Sequence, residues 1–199
     1  MLIIGLNGSP NKEDNTAALL SAALEPAREK GAEVVIIHAA EALKSATTPF
    51  CNCCSNPCGG HCFKDRELGK VYELLGRADG IIIGSPVYFG TVSAQLKGFW
   101  DKTRQLRANK KLLNVVGGAV TVGAARFGGQ ETTVKAIHDM MLVQGMTVVG
   151  DGYIEDDAGH HGGCAQRPAN ADETGLLRAR ILGRRVYEVA EATKALRQR

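Results

Sequence analysis

Leu2-Ile3-Ile4-Gly5-Leu6-Asn7-Gly8-Ser9-Pro10-Asn11-Lys12-Glu13-Asp14-Asn15-Thr16 joins an apolar run, a polar turn and the start of an amphipathic segment in one stretch. A short apolar run closed by glycine and turn residues reads as a strand buried on both faces, and the periodic pattern after Asn15 reads as a helix. The same unit recurs along the chain. Strands are predicted at Leu2 to Leu6, Glu33 to His38, Gly80 to Gly84, Leu112 to Thr121 and Met146 to Gly150. Helices are predicted at Asn15 to Lys30, Asp65 to Ala78, Ser93 to Leu106, Gln130 to Gln144 and Asp172 to Arg197. This alternation specifies an α/β fold with a doubly wound, five-stranded parallel sheet, most simply of order 2-1-3-4-5. With 199 residues and 44% hydrophobic content, a single domain spanning 1–199 is expected.

The net charge of +3 is too small to argue for nucleic acid. Arg178, Arg180, Arg184, Arg185, Lys194, Arg197 and Arg199 gather near the C-terminus without interleaved aromatics, which reads as a solvated helix face rather than an anion site. The opening apolar run is too short and uncharged for a signal peptide, and no later run reaches bilayer-spanning length. A cytoplasmic protein without membrane contact is expected, in a compartment where thiols stay reduced.

Functional loops in such a sheet lie at the carboxyl ends of the strands. The first, Gly8 to Thr16, lacks both the dinucleotide glycine fingerprint and the triphosphate loop motif. It offers Ser9, Asn11, Asn15 and Thr16 just before and into a helix, a pattern suited to a monophosphate, the plainer alternative being ordinary helix capping. The second, Ser85-Pro86-Val87-Tyr88-Phe89-Gly90-Thr91, sets aromatic surface at a crevice mouth where a planar heterocycle is gripped, with the N–H groups of Tyr88 to Gly90 free to address its edge. The third, Val122 to Thr133, combines Gly123, Gly128 and Gly129 with Arg126, a cation able to stabilise an anionic ring; a flexible turn with an exposed arginine is the alternative.

Cys51-Asn52-Cys53-Cys54-Ser55-Asn56-Pro57-Cys58-Gly59-Gly60-His61-Cys62 packs five thiols into one loop, about 49–64. They cannot all pair with one another, whereas a soft metal centre gathers four readily. Structural zinc usually takes two C-x2-C pairs set apart, while iron-sulfur clusters favour one compact run. Cys51, Cys54, Cys58 and Cys62 suit a cluster, with Cys53 as an alternate ligand; zinc, disulfide or inert thiols are the competing outcomes. Adjacent His160 and His161 are poorly spaced for a second metal, and Cys164 reads as a bystander.

Gly8-Ser9-Pro10-Asn11 to Thr16, Gly84-Ser85-Pro86-Val87-Tyr88-Phe89-Gly90 to Lys97, and Arg126-Phe127-Gly128-Gly129-Gln130-Glu131-Thr132-Thr133 together resemble the flavin loops of the NADPH-dependent FMN reductase superfamily. With the cysteine run added, the chain resembles the iron-sulfur flavoprotein branch. The resemblance implies a flavodoxin-like fold, FMN, and a 4Fe-4S cluster near the flavin. It would give Ser9, Asn11, Asn15 and Thr16 to the FMN phosphate, Pro86, Val87, Tyr88, Phe89 and Gly90 to the ring, and Thr121 through Gly129 to its other edge. The cysteine spacing departs from the family's C-x2-C-x2-C pattern, and four of the five thiols are expected as ligands. The activity implied is transfer of electrons between a two-electron donor, such as NAD(P)H or a substrate, and one-electron carriers of the ferredoxin type. No protein side chain is assigned as a catalytic group. One alternative is a dehydrogenase of a carboxylated ring metabolite of the aminodeoxyisochorismate type, bound through Arg126 and the C-terminal basic residues. Another is a non-catalytic flavin-binding module with a structural zinc loop. A homo-oligomer is expected, because Tyr88, Phe89 and the long segment Asp151 to Ala169 are hard to cover within one chain, and the resemblance implies a homodimer or homotetramer.

Overall fold

The computed structural model describes residues 1–197. Along the chain come β1 (Leu2–Asn7), α1 (Asn15–Glu29), β2 (Glu33–His38), α2 (Ala39–Lys44), α3 (Glu67–Leu75), β3 (Gly80–Pro86) and α4 (Ala94–Asp101). There follow α5 (Arg104–Ala108), β4 (Val116–Gly123), α6 (Gln130–Leu142), β5 (Thr147–Val148), β6 (Gly163–Gln166) and α7 (Glu173–Ala192). Every strand pair is parallel, in the order β2-β1-β3-β4-β5, with β6 also paired to β4. This is the flavodoxin-like order expected from the alternating pattern. The register sets Asn7 beside Gly84 and Pro86 beside Val122, so the loops leaving β1, β3 and β4 emerge at one end of the sheet.

The strands are apolar throughout because helices cover both faces. Leu2, Ile4, Leu6, Ile81 and Ile83 face Leu96, Phe99, Trp100 and Ile137, whereas Ile3, Ile82 and Val120 face Leu19, Leu20, Leu182 and Val186. Each fully buried aliphatic side chain contributes about 1.5–3 kcal/mol. These two layers hold the strand ends, and hence the loops, in place.

Several element boundaries differ from the sequence expectation, each for a tertiary reason. The fifth sheet position is split, so the sheet has six strands rather than five: β5 pairs with Val116 and Gly117, and β6 pairs with Val120 to Gly123. Gly163-Cys164-Ala165-Gln166 carries no β-branched residue, and its strand exists because β4 offers an open edge there. The helix predicted from Ser93 to Leu106 is broken between α4 and α5. Lys102 turns inward there to donate to Phe50 O, and the Thr103 hydroxyl donates to Trp100 O. The last helix ends at Ala192 and continues only as a 3-10 turn, Lys194–Leu196. The short α2 and α5 were not legible as separate helices. Strand β4 begins at Val116 rather than Leu112, and α3 is shorter at both ends than the predicted helix. Arg199 lies outside the described residues.

The segment between β5 and β6 is pinned to α7 rather than loose. Asp151, fully buried, accepts from Arg178 Nε, and the Arg178 guanidinium also binds Asp157 at 3.2 Å. Arg184 lies 4.6 Å from the Tyr153 ring centroid, and Arg185 donates to Gly152 O at 3.0 Å. Arg180 pairs with Glu25 at 2.8 Å and Arg197 with Asp79 at 3.2 Å. The basic face read as solvated, or as a contact for a carboxylated substrate, is therefore largely engaged within the chain. No helix among the described residues is long and apolar enough to cross a membrane.

Candidate functional site

Three loops meet where β1, β3 and β4 end. Asn7, fully buried at the tip of β1, accepts from the Ser9 N–H at 2.9 Å and donates to Asn11 O at 3.3 Å, which curls the first loop back on itself. Gly8 N–H donates to Gly84 O at 2.7 Å, and the Ser93 hydroxyl donates to Gly8 O at 2.5 Å. Ser93 also accepts from Leu96 N–H at 3.1 Å as the cap of α4, while its own N–H donates to Ser85 Oγ at 3.1 Å. Ser85 and Ser93 are both fully buried. They weld the first loop to the second.

The start of α1 is capped by Asp14, not by Asn15 or Thr16. The Asp14 carboxylate accepts from the N–H groups of Thr16 (3.0 Å) and Ala17 (3.4 Å) and from the Ser9 hydroxyl (2.6 Å). Asn15 turns away to accept from Ala169 N–H at 2.8 Å. Ser9 and Thr16 are buried at the helix N-terminus, where the dipole and open N–H groups favour negative charge. This end already holds an anionic oxygen pair, that of Asp14, on donors of the kind a phosphate takes. A phosphate there competes with the carboxylate.

In the second loop, Tyr88-Phe89-Gly90-Thr91 forms a tight turn with Tyr88 and Thr91 bonded to each other in both directions. Phe89 (φ +50°) and Gly90 (φ +78°) are left-handed. Of the N–H groups expected to be free, Tyr88's is engaged by Thr91 O; those of Phe89 and Gly90 carry no hydrogen bond among the described residues. The Phe89 ring is fully exposed, and Tyr88 is exposed too. Pro86 is the last residue of β3, and the Val87 N–H donates to Val122 O at 2.9 Å.

The third loop is built around Gln130, which was not singled out from sequence. Its buried side chain accepts from Gly128 N–H at 2.8 Å and donates to Ala125 O at 2.6 Å, folding Ala125 to Gly128 into a compact turn. Gly129 caps α6 with φ +97° and touches Gly90, and the Thr132 hydroxyl donates to Gly90 O at 2.9 Å. Loops two and three are thereby joined. Gly123 O accepts from Arg167 N–H at 2.9 Å. Arg126 and Phe127 are exposed on the outer side, beside a cleft of about 960 Å³ that Arg167 and Asp172 also line. Thr121 is buried, its hydroxyl donating to Gln130 O at 3.2 Å and lying 3.7 Å from Cys164 Sγ. Burial pushes the Cys164 thiol up, which favours its protonated form.

The cysteine loop lies at the other end of α4. Gly98, midway along that helix, has no side chain where Pro49 O and Phe50 approach. Lys102 Nζ donates to Phe50 O at 3.1 Å, Arg104 donates to Ser55 O at 3.3 Å, and Thr47 N–H donates to Cys62 O at 3.1 Å. Phe63 closes the loop by packing edge-on against Tyr72 at 4.9 Å. Burial, together with the Cys62, Cys51 and Cys58 thiols, pushes the Tyr72 phenol up, and it stays a donor to Phe99 O at 2.6 Å. Cys53, Cys51 and Cys58 raise Arg104 in the same way, although its burial opposes them. Cys53 and Cys54 are exposed, Cys51, Cys58 and Cys62 half-buried, and all are free thiols. Among the described residues no backbone N–H from Phe50 to Cys58 donates a hydrogen bond. Among the described residues no three His, Cys, Asp or Glu side chains converge as ligands of one ion, the His160 and His161 segment included. The donor set nevertheless fits a soft centre: five thiols, open N–H groups able to donate to sulfur, and neighbouring cations.

The match to known proteins covers the fold and the loops together. Residues 1–161 match the family model described as NADPH-dependent FMN reductase. An iron-sulfur flavoprotein of Methanocaldococcus jannaschii is 43% identical over 98% of this chain and 100% of its own length. An NAD(P)H dehydrogenase (quinone) of Paracoccus denitrificans is 31% identical over 91% of this chain and 90% of its own. The crystal structure of a flavodoxin, WrbA-like protein from Agrobacterium tumefaciens superposes with a TM-score of 0.66 at 22% identity, covering 96% of this chain and 97% of that one, a likeness of fold. The chain belongs to the NADPH-dependent FMN reductase family of oxidoreductases, in its iron-sulfur flavoprotein branch.

Proposed function

We propose that this protein is an FMN and 4Fe-4S oxidoreductase that passes electrons between a two-electron donor and one-electron carriers of the ferredoxin type. The observation that carries the proposal is α4. Its capping residue, Ser93, ties the flavin-side loops together, and its middle and far end support the cysteine loop. Eight helical residues span about 12 Å, so both centres would lie within reach of one another. FMN supplies two-electron chemistry and a cluster single-electron chemistry, which together make a converter.

Ser9, Asn11, Thr16 and the start of α1 would hold the phosphate, with Asp14 displaced and Asn15 acting through its contact with Ala169. Pro86, Val87, Tyr88, Phe89 and Gly90 would bear on the ring through the unbonded N–H groups of Phe89 and Gly90. Thr121, Gly123, Arg126, Gly128 and Gly129 would close its other edge, with Gln130 fixing their shape. Cys51, Cys58 and Cys62, with Cys54 or Cys53 as the fourth, would ligate the cluster once the loop draws in. The exposed Phe89 and Phe127 rings support a homodimer or homotetramer in which a neighbouring chain covers the crevice.

Protein purified without oxygen tests this directly. FMN released on denaturation, near four irons and four sulfides per chain, and reduction of both chromophores by NAD(P)H in stopped flow are expected. Stoichiometric zinc, or FAD in place of FMN, would overturn it. A second reading has one observation behind it. The cleft beside Arg126 and Arg167, neither of which is paired with a carboxylate among the described residues, suits a carboxylated ring substrate. Flavin reduction by such a compound, and not by NAD(P)H, would favour that reading.

A further inference from the structure

Two cations underlie the cysteine loop with no carboxylate paired to them among the described residues. Lys102 is 2% exposed, yet among the described residues its ammonium has only Phe50 O at 3.1 Å and Thr48 Oγ1 at 3.5 Å as partners. Arg104, two residues on, donates to Ser55 O at 3.3 Å. Among the described residues neither forms an ion pair with a carboxylate, whereas Arg178, Arg180 and Arg197 on the opposite side of the molecule all do. A buried ammonium is costly unless an opposite charge offsets it. The thiolates of the loop that both cations bind can supply that charge.

We propose that Lys102 and Arg104 are the counter-charge of the metal centre held by the cysteine loop and set its reduction potential. This rests on the loop holding an iron-sulfur cluster. Each thiolate brings negative charge, and accepting one electron adds another. Fixed cations beside the centre favour the reduced state and raise the potential. Lys102, out of water, acts with little screening; Arg104, half-exposed, acts with more.

The test is the midpoint potential of the anaerobically purified holoprotein, followed by optical and spin-resonance titration, with iron and FMN content measured on each variant. Arg104→Gln should lower the potential by an amount equal to a tenfold loss in the reduction equilibrium, about 59 mV for one electron. Arg104→Lys should restore most of it, and the Arg104→Gln shift should shrink in about 1 M salt. Lys102→Met, apolar and similar in length, should lower the potential too. Arg107→Gln, whose guanidinium binds Val143 O instead, should leave it unchanged. Loss of iron from Arg104→Gln but not from Arg104→Lys also supports the charge role. Full iron with an unaltered potential in both Arg104→Gln and Lys102→Met overturns it, and so does equal iron loss from Arg104→Gln and Arg104→Lys, which would make Arg104 a mere tether. Parent protein without iron refutes the cluster itself, a separate outcome.

Discussion

In the crevice, the single hydroxyl of Ser93 bonds the first loop and caps α4, while its N–H reaches the end of β3 through Ser85. Along the cysteine loop, from Phe50 to Cys58, no backbone N–H donates a hydrogen bond among the described residues, and this stretch is held by the long cationic side chains of Lys102 and Arg104. One region is shaped by its own backbone before any ligand arrives. The other has thiols and N–H groups left over, which a bound metal centre would engage. The difference teaches where each ligand's binding energy goes: into contacts in the crevice, and into ordering the chain in the loop.

The sharpest way to break this contrast is to remove the metal. Chelation or Cys62→Ser should abolish iron binding, and amide exchange across 50–62 should become essentially unprotected while 5–9 and 81–85 stay slow. Equal loss of protection in both regions would show that the crevice depends on the loop. Single serine replacements should separate the thiols further: Cys51, Cys58 and Cys62 each lose iron, and within the Cys53 and Cys54 pair one variant loses it while the other keeps it.

Next in size is Ser93→Ala. It leaves Gly8 O and Leu96 N–H without their partner in a fully buried position, at a cost of about 2 kcal/mol. Urea unfolding should register that loss, with FMN affinity falling and iron content unchanged. An iron deficit equal to the flavin deficit would mean that α4 couples the two regions more tightly than its contacts indicate.

A smaller effect runs the other way. Asp14→Asn keeps a good helix cap but removes the charge that competes for the Ser9 hydroxyl and the Thr16 N–H. FMN should bind about tenfold more tightly, a change of about 1.4 kcal/mol by titration calorimetry. Weaker binding would place Asp14 among the groups that hold the ligand.

The smallest effect concerns pH. Burial, then the neighbouring His161, lowers His138 on α6 below its ordinary value of 6.5. The unfolded chain therefore binds this proton more readily. The histidine's contribution to stability is intact above pH 6.5, declines as pH falls toward the lowered value, and levels off below it. In thermal melts His138→Gln should flatten this acid limb without altering iron or FMN content. An unaltered limb would assign the acid sensitivity elsewhere.

Much of this molecule was legible from residue order. Apolar runs between glycines located β1 to β4 because a strand buried on both faces has few other compositions. The three crevice loops followed from the rule that ligands meet parallel sheets at strand carboxyl ends. The residues that shape those loops were harder to see. Asp14 stands where an N-cap is preferred, and a stricter application of that preference finds it. Gln130 carries no comparable signal, since its role depends on two carbonyl and amide groups that only the folded turn brings together.

The sequence by itself determined the alternation of strands and helices, the thiol-rich loop and the family, because each is written in local spacing. Only the tertiary structure decided that the fifth strand is split, that C-terminal arginines pair with Asp151, Glu25 and Asp79, and that Lys102 lies buried against Phe50 at the start of the cysteine loop. Each of these joins residues far apart in the chain, where edge availability, desolvation and charge partners are fixed by packing and leave no periodic trace in the sequence.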